Sequence, residues 1–428
     1  MLRKETSVKN CPEFDFLESL FAAATAAAAP ARCVPPHLPD DRHGRLIVVG
    51  AGKASAAMAR AVEEHWPGPL SGLVVTRYGF AVPCQHIEIR EAAHPVPDAA
   101  GRAAAAAILQ RLRDLRTEDR VLALISGGGS ALLAAPGVGV SLTEKQAITT
   151  ALLHSGANIH DMNAVRKHLS AIKGGQLAAA AWPASLLTLA ISDVAGDDPE
   201  VIASGPTVGD PSTCSDALSV LDRYAIDISA ELRRRLQDGQ LETPKPGDPR
   251  LARSEFRIIA SPALALQAAA ATAVAAGVTP LILGDAIEGE AREVARVLAG
   301  IARSCADYGT PAKPPCVLLS AGEATVSIHG RGRGGRNSEL MLAMAIALQG
   351  QPRIHALAGD TDGIDGSEDN AGALIGPHTL QDAAALGLDA RAALHDNDAY
   401  GFFSAIGDLL ISGPTLTNVN DLHAILVR

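Results

Sequence analysis

A chain of 428 residues is long enough for two or three domains, because single hydrophobic cores rarely grow beyond about 250 residues. Its formal net charge of −10 excludes a general nucleic-acid-binding protein, whose phosphate contacts need a basic face. Hydrophobic residues make up 47% of the chain and aromatic residues 3%, which favours a layered α/β protein with a core of Ala, Leu, Val and Ile.

The amino-terminal segment and the cysteines predict a cytoplasmic protein without membrane association. The first 16 residues carry charges where a signal peptide needs an apolar run, and no later apolar stretch reaches about 18 residues without interruption. The six cysteines form no CxxC pair and show no zinc-site spacing. This cysteine pattern fits a reducing compartment.

Three apolar runs in the first half, LIVV, VLALI and LLTLAI, each lead into a polar or glycine-containing turn and then a helix-like segment. This alternation predicts parallel strands connected by helices. We therefore expect the three turns at the carboxyl ends of their strands, where ligands bind in such sheets.

The first turn, GAGKAS, combines Gly52, which lets backbone N–H groups approach an anion, with the charge of Lys53. It is not a Walker A motif, because Ala54 replaces the required Ser or Thr. It is also a poor dinucleotide fingerprint, since the next strand ends in Thr76-Arg77 where an NAD site needs an acid. A tight structural turn with an exposed lysine is the alternative interpretation.

The second turn predicts an anion site more strongly, because three successive glycines cost backbone entropy that a structural turn would avoid. Its N–H groups and two hydroxyls can converge on a carboxylate or phosphate. A flexible loop is the alternative. The turn consists of Ser126, Gly127, Gly128, Gly129 and Ser130.

A basic stretch, NAVRKHLSAIKGG, follows at residues 163–175. The i, i+7 spacing of Arg166 and Lys173 predicts that both lie on one helix face.

The third turn, SDVAGDD, places Asp193 and Asp197 at a strand end. Carboxylates there can hold Mg²⁺ or accept the proton of an attacking hydroxyl. A solvated acidic turn that caps the next helix is the alternative.

A polar segment with three prolines separates two halves that both alternate strands with helices. We predict an N-terminal domain at residues 1–240, a linker or surface connection at 241–255, and a C-terminal α/β domain at 256–428.

The second half contains a basic cluster and an acidic turn. Arg336 in GRGGRNSE stands just before an apolar helix, so its guanidinium and the helix N-terminus would face the same anion. The turn GDTDGIDG carries Asp360 and Asp362, which suit metal or ribose contacts but lack the spacing of an EF-hand. A structural role is the alternative for this turn.

From about Leu17 onward the chain resembles the glycerate kinases that form 2-phosphoglycerate, whose carboxyl half contains the MOFRL domain. The resemblance rests on nine motifs in order: GAGKA, AAHPVPD, ISGGGSALL, NAVRKHLSAIKGG, ISDVAGDDPEVIASGPT, AGEATV, GRGGRNSE, GDTDGIDG and SGPTLTNVNDL. It places the MOFRL region at about residues 313–422.

The resemblance implies phosphorylation of D-glycerate on its 2-hydroxyl, with ATP and Mg²⁺ as cofactors. The implied fold is α/β, with a Rossmann-like N-terminal domain, a smaller C-terminal domain and an active site in the interdomain cleft. Some members are labelled hydroxypyruvate reductases, so an NAD(P)H-dependent reductase is the alternative function. The expected partners are a small-molecule substrate and a nucleotide. A homodimer is one option for the oligomeric state, which the sequence does not determine.

The motifs and the resemblance together assign the site residues to four groups. The catalytic group is Lys53, Arg336 and Asp193. Asp193 and Asp197 would hold the metal, while His94, Asp360 and Asp362 are further cleft candidates. Substrate or phosphate binding is assigned to Gly52, Ser126, Gly127, Gly128, Gly129, Ser130, Arg166, Lys173, Glu323 and Asn337.

Overall fold

The computed structural model describes residues 11–39 and 44–428. These residues form two units, each with its own six-stranded sheet. The N-terminal unit comprises the described residues of 30–260, and the C-terminal unit combines residues 11–29 with residues 261–428.

The sheet of the N-terminal unit is built from apolar strands whose central residues are buried on both faces, as parallel sheets require. The strands are β1 (Leu46–Ala51), β2 (Leu70–Arg77), β3 (Ile87–Ala92), β4 (Arg120–Ser126), β5 (Ser185–Ile191) and β6 (Ser254–Ala260). All pairings are parallel, in the order β3-β2-β1-β4-β5-β6. The predicted α/β fold with a Rossmann-like sheet is confirmed.

Helix α1 (Pro12–Ala27) belongs to the C-terminal unit, and the following helices surround the parallel sheet. Several of these helices begin at a polar residue that caps them, such as Asp98, Ser141 and Asn158. They are α2 (Pro30–Cys33), α3 (Ser55–His65), α4 (Ala99–Arg111), α5 (Gly129–Leu132), α6 (Leu142–His154), α7 (Ile159–His168), α8 (Gln176–Ala181), α9 (Cys214–Arg223) and α10 (Ala230–Gln237).

The strand order reverses between β1 and β4. The chain builds outward from β1 to β3 on one side and from β4 to β6 on the other. The turns after β1 and β4 therefore flank the point at which ligands bind in open α/β sheets.

The C-terminal unit has a mixed sheet in which β7 and β8 are parallel and the other pairs are antiparallel. Its strands are β7 (Thr279–Glu290), β8 (Cys316–Thr325), β9 (Ile354–Asp360), β10 (Gly372–Ile375), β11 (Leu409–Leu410) and β12 (Asp421–Val427). Their order is β11-β10-β9-β12-β8-β7.

The helices of the C-terminal unit pack an Ala- and Leu-rich core on this sheet. They are α11 (Pro262–Ala275), α12 (Ala291–Tyr308), α13 (Arg336–Leu348), α14 (Thr379–Ala385), α15 (Ala390–His395) and α16 (Ala399–Ile406). Within the described ranges, no helix combines the length and the apolar character that a bilayer span requires.

The two units differ from the predicted domains 1–240 and 256–428 at both ends. Helix α1 packs into the C-terminal unit, where Leu17 and Leu20 are fully buried. Strand β6, assigned to the second half because a proline-rich segment precedes it, pairs with β5 and completes the parallel sheet. The segment 241–255 also packs on the N-terminal unit, since buried Thr243 donates to Asp210 (2.9 Å).

Candidate active site

The turns after β1 and β4 are joined by hydrogen bonds. The N–H of Lys53 donates to the carbonyl oxygen of Gly127 (2.8 Å), and the N–H of Ala54 donates to Ser126 Oγ (3.0 Å). Because Ser126 is fully buried, its hydroxyl supports the turn from inside. The structure thus brings Lys53 and the glycine-rich turn together, and it gives Ser126 a structural role in place of ligand contact.

Two glycines are required by this close approach. A methyl group at Gly52, whose φ is +146°, would lie 2.0 Å from Ser126 Oγ. A methyl group at Gly128, whose φ is +78°, would lie 2.9 Å from the His94 ring and 3.6 Å from Lys53 Cγ. The side chains of His94 and Lys53 therefore both lie beside Gly128.

A pocket of about 190 Å³ opens beside this turn. Three cationic side chains reach it, and no Asp or Glu is among the described residues that line it. Its polar lining includes His94, Ser130, Lys145, Arg166 and Lys173. We call the part lined by Lys145, Arg166 and Lys173 the three-cation pocket.

Both lysines of the three-cation pocket are deeply buried. Lys173 Nζ donates to the carbonyl oxygen and the hydroxyl of Ser130 and to the carbonyl oxygen of Leu133. Burial lowers the pKa of Lys173 well below its ordinary value, and the charges of Lys145 and Arg166 act in the same direction. Burial likewise lowers the pKa of Lys145 to about 7. The lysines are thus held by neutral oxygens rather than by carboxylates.

Arg166 has no counter-ion either. It is half-buried on α7, and its side chain makes no hydrogen bond or ion pair with residues 11–39 or 44–428. Burial lowers its pKa. The prediction that Arg166 and Lys173 share a helix face is wrong, because α7 ends at His168 and Lys173 lies in the loop beyond it. Both side chains nevertheless line the same pocket.

The sequence analysis missed Lys145. In the sequence it stands in a polar helix start, TEKQ, like an ordinary surface lysine. The available signal is its phase: Lys145, Ile148 and Leu152 follow the i, i+3, i+7 pattern of a buried helix stripe.

A backbone segment with strained conformations, Ala203-Ser204, contacts the wall of the pocket through Ser130. Ala203 and Ser204 have φ values of +51° and +63°, which side-chain-bearing residues rarely adopt. Ser204 Oγ shares a hydrogen bond with Ser130 Oγ (2.8 Å) and donates to Asn163 Oδ1 (2.9 Å). The amide nitrogen of buried Asn163 has no partner among the described residues.

The acidic turn after β5 contains a second strained residue. Asp197 has a φ of +55°, and its Oδ1 is buried without a hydrogen-bond partner in the described part of the chain. Asp193 is half-buried and is the second residue after β5. A buried carboxylate oxygen without a hydrogen-bond partner, in a strained turn, fits the role of a metal ligand.

His168, Cys214 and Glu242 lie close enough to share a metal ion, although their spacing in the sequence does not suggest a metal site. Glu242 already accepts from His168 Nε2 (3.0 Å) and from the N–H of Cys214, and it pairs with Lys245. Burial raises the pKa of the Cys214 thiol to about 11. This cluster is therefore satisfied without an ion.

In the C-terminal unit, Arg336 is surrounded by carboxylates. Its Nε pairs with Asp421 (2.7 Å), Nη2 with Asp360 (3.0 Å) and Nη1 with Glu323 (2.7 Å). Burial disfavours the charged guanidinium, but the charges of Asp421, Asp360 and Glu323 outweigh burial and raise its pKa. The guanidinium is therefore held in one orientation, and only Glu323 among its partners is exposed.

The N-terminus of α13 is not open to a substrate anion. The carboxylate of Asp365 accepts from the N–H groups of Asn337 (3.0 Å) and Ser338 (2.8 Å) and from the Ser338 hydroxyl. The expectation that Arg336 and this helix N-terminus face the same external anion is therefore wrong, because Asp365 is the anion at the helix N-terminus.

Two further residues that the sequence predicted as site residues, Asn337 and Asp362, are buried in the C-terminal unit. Asn337 is fully buried, and its amide donates to Asp421 (2.8 Å). Asp362 is buried and accepts from the N–H of Ile364 (2.9 Å). The sequence analysis named neither Asp365 nor Asp421 as a site residue. Their role depends on partners 28 and 84 residues away, and short motifs cannot reveal such contacts.

Family comparisons cover both units. Residues 16–237 match a family described as a domain of unknown function (DUF4147), and residues 316–421 match the MOFRL family. The chain is 41% identical to a D-glycerate 2-kinase of Thermotoga maritima over 92% of this chain and 94% of that protein. A crystal structure of the Thermotoga maritima glycerate kinase superposes with a TM-score of 0.90 at 39% identity, covering 97% of this chain and 100% of that one.

A protein of Agrobacterium vitis is 56% identical over 96% of this chain and 94% of its own length. It is provisionally named a hydroxypyruvate reductase.

Proposed function

Because the chain belongs to the glycerate kinase family that carries a MOFRL region, we propose that it transfers the γ-phosphoryl group of ATP to the 2-hydroxyl of D-glycerate. The products are 2-phosphoglycerate and ADP. The observation that carries this proposal is the similarity to the Thermotoga D-glycerate 2-kinase, which extends through both units.

Lys53 is the first proposed catalytic cation. Its N–H is bonded to Gly127, and its carbonyl oxygen accepts from the Thr76 hydroxyl (3.3 Å), so its backbone is fixed on both sides. A preorganised lysine can stabilise negative charge on the transferring phosphoryl group without rearrangement. We assign this role to its ammonium group.

Arg336 is the second proposed cation. Asp421 and Asp360 fix Nε and Nη2, whereas Nη1 has exposed Glu323 as its one ion-pair partner among the described residues. Because the Glu323 side chain is exposed, water competes for its pairing with Nη1, and a phosphoryl oxygen can displace Glu323 there. In this proposal Arg336 contacts a phosphoryl oxygen through Nη1, and Glu323 holds the guanidinium until the phosphate binds.

The acidic turn after β5 fits a magnesium site. The unpartnered Oδ1 of Asp197 supplies a ligand, and Mg²⁺ in phosphoryl-transfer sites uses only one or two carboxylates. When bound, Mg²⁺ neutralises charge between the phosphates of the nucleotide. Asp193 is either the second ligand or the acceptor of the 2-hydroxyl proton.

The acid is proposed to bind at the turn of residues 127–130, with Arg166 and Lys173 as its nearest cations. His94, Asp360 and Asp362 remain further candidates for contact with the substrates. We also propose, from the sequence, that the protein is cytoplasmic and forms a homodimer. The proposed phosphoryl transfer depends on neither property.

The alternative, an NAD(P)H-dependent hydroxypyruvate reductase, is favoured by the name of the Agrobacterium relative and by the strand order of the parallel sheet. The first turn argues against it, because Lys53 follows Gly52 and strand β2 ends at Arg77 without a ribose-binding acid. Arg77 would suit only the 2′-phosphate of NADP. Oxidation of NADPH in the presence of hydroxypyruvate would favour this alternative.

A coupled assay tests the kinase directly. The protein is incubated with ATP, Mg²⁺ and D-glycerate, and enolase is added without phosphoglycerate mutase. Enolase consumes 2-phosphoglycerate but not the 3-isomer, so immediate formation of phosphoenolpyruvate is the expected result. ADP formation that yields phosphoenolpyruvate only after mutase is added would refute phosphorylation of the 2-hydroxyl.

A further inference from the structure

The basic side chains of the three-cation pocket have no carboxylate partner among the described residues. Lys145 is 6% exposed and Lys173 is 2% exposed, and neither pairs with a carboxylate in the described part of the chain. Buried charges in proteins are ordinarily paired, because desolvation of an isolated cation is costly. A pocket with three unpaired cations therefore has the character of an anion-binding site.

The elements around the pocket indicate that this arrangement is kept for a ligand. Ala203 and Ser204 have left-handed backbone conformations, and Ser204 holds Ser130 at the pocket wall. The amide nitrogen of buried Asn163, one helical turn from Arg166, lacks an acceptor in the described ranges. Strain and unsatisfied donors in one place are typical of binding sites and unfavourable for folding.

The size of the pocket favours D-glycerate over ATP as the anion that it encloses. A volume of about 190 Å³ is smaller than the ~300–1,000 Å³ of sites that enclose drug-sized ligands such as nucleotides. A three-carbon acid fits this volume. Gly128 also lines the pocket, and a methyl group added at Gly128 would lie 3.6 Å from Lys53 Cγ, so the Lys53 side chain is beside the pocket wall.

We propose that the three-cation pocket binds the carboxylate of the acceptor acid and that Lys145 is a specificity-determining residue for small 2-hydroxycarboxylates. This inference rests on the proposed function. It adds that the carboxylate accepts from Lys145 and Arg166 and lies beside Lys173, so that the adjoining hydroxyl is directed toward Lys53. The nucleotide phosphates bind elsewhere.

The test compares steady-state constants and thermal stability for Lys145→Met. Loss of one charge-assisted hydrogen bond, worth about 1.5–3 kcal/mol, should raise KM for D-glycerate about 10- to 100-fold and leave KM for ATP unchanged. Because the variant removes an unpaired buried charge, its melting temperature without ligand should rise. A rise in KM for ATP instead would make the pocket a nucleotide phosphate site and overturn the proposal.

Lys167→Met is the matched control. Lys167 is equally buried but pairs with Asp210 (3.2 Å), so its removal leaves an uncompensated carboxylate and should lower the melting temperature. Should Lys145→Met also lower it, with no change in KM for D-glycerate, Lys145 is structural and the proposal fails.

Arg166→Gln is the second variant, because the Arg166 side chain makes no hydrogen bond or ion pair with the described residues that the substitution would break. Calorimetric titration of the nucleotide-free protein with D-glycerate and with glycerol separates this proposal from the kinase assignment. Wild type should bind D-glycerate at least 100-fold more tightly than glycerol, and Arg166→Gln should lose most of that preference. If wild type shows no kinase activity, the proposed function fails. The titration then still tests whether the three-cation pocket binds a carboxylate. Equal binding of glycerate and glycerol by wild type would refute the carboxylate site.

Discussion

At the scale of single residues, the N-terminal unit buries lysines in two opposite ways. Lys167 lies against Asp210, and the pair is neutral overall. In the described part of the chain, the acceptors of the Lys145 ammonium are the carbonyl oxygens of Ala135 (3.4 Å) and Leu169 (3.1 Å) alone. The first arrangement stabilises the fold, whereas the second weakens it unless an anion is bound.

This difference predicts a pH dependence of stability. The pKa of Lys145 is about 7 in the folded protein and ~10.4 in the unfolded chain, so between these values the unfolded state binds more protons. The free energy of unfolding should therefore gain up to ~1.4 kcal/mol per pH unit as the pH rises from 7 to 10 and lose the same amount as the pH falls from 10 to 7, with little further change from this group below pH 7. Burial also lowers the pKa values of Lys173 and Arg166, so both residues change the free energy of unfolding in the same direction. Both are still present in Lys145→Met, and their contribution cancels when that variant is compared with wild type.

Denaturant unfolding of wild type and Lys145→Met at pH 7, 8 and 9 measures this contribution. The stability advantage of the variant should be largest at pH 7 and shrink toward pH 9. An advantage that is independent of pH would show that Lys145 is charged throughout this range in the folded protein.

Lys53→Ala tests the assignment of the catalytic cation. Loss of a preorganised donor to the transition state should reduce kcat about 10²- to 10³-fold, with little change in melting temperature. Exposed Lys313 provides the control, since Lys313→Met should keep wild-type kcat. Normal turnover by Lys53→Ala would remove this lysine from the mechanism.

At the scale of elements, the sequence predicts what depends on local pattern. The apolar runs before Gly52, Gly127 and Asp193 are strands of one sheet, and their turns lie at its carboxyl edge. The basic stretch was harder to predict, because the spacing of Arg166 and Lys173 suggests a helix where the structure has a loop. The cap of α13 was beyond prediction, since Asp365 lies 28 residues from the helix start that it satisfies.

Gly52→Ala tests the coupling between the two turns. Both Gly52 and Gly79 have positive φ, but a methyl group at Gly79 has no atom within 4 Å. Gly79→Ala should therefore cost only the ~1–2 kcal/mol of backbone strain. Gly52→Ala should cost about 4 kcal/mol or more, because the backbone must move away from Ser126. Equal losses in denaturant unfolding would show that the contact with Ser126 is easily relieved.

At the scale of the whole molecule, the C-terminal unit is assembled from two distant parts of the chain. A methyl group at Gly359 in β9 would lie 2.9 Å from the ring of Phe21 in α1, and Thr417 donates to the carbonyl oxygen of Ala28 (2.7 Å). Composition and local pattern predict two α/β units, but they cannot assign α1 to the second one. That assignment depends on contacts across more than 330 residues.

Phe21→Ala tests this assembly by hydrogen exchange. Truncation of a buried phenylalanine costs about 3–5 kcal/mol, and the loss should appear as faster exchange in β9 and β12 of the C-terminal unit. Phe80→Ala, which truncates a buried phenylalanine of the N-terminal unit, should instead accelerate exchange in the parallel sheet. Faster exchange in β1 or β4 after Phe21→Ala would contradict the division into units.

The identity of the phosphorylated product tests the central claim most directly. Proton-coupled phosphorus NMR of a reaction with ATP, Mg²⁺ and D-glycerate distinguishes the two esters, because phosphate on the 2-oxygen couples to one adjacent proton and phosphate on the 3-oxygen couples to two. The account predicts a new doublet that grows with ADP. A triplet, or no new phosphate ester at all, would contradict it.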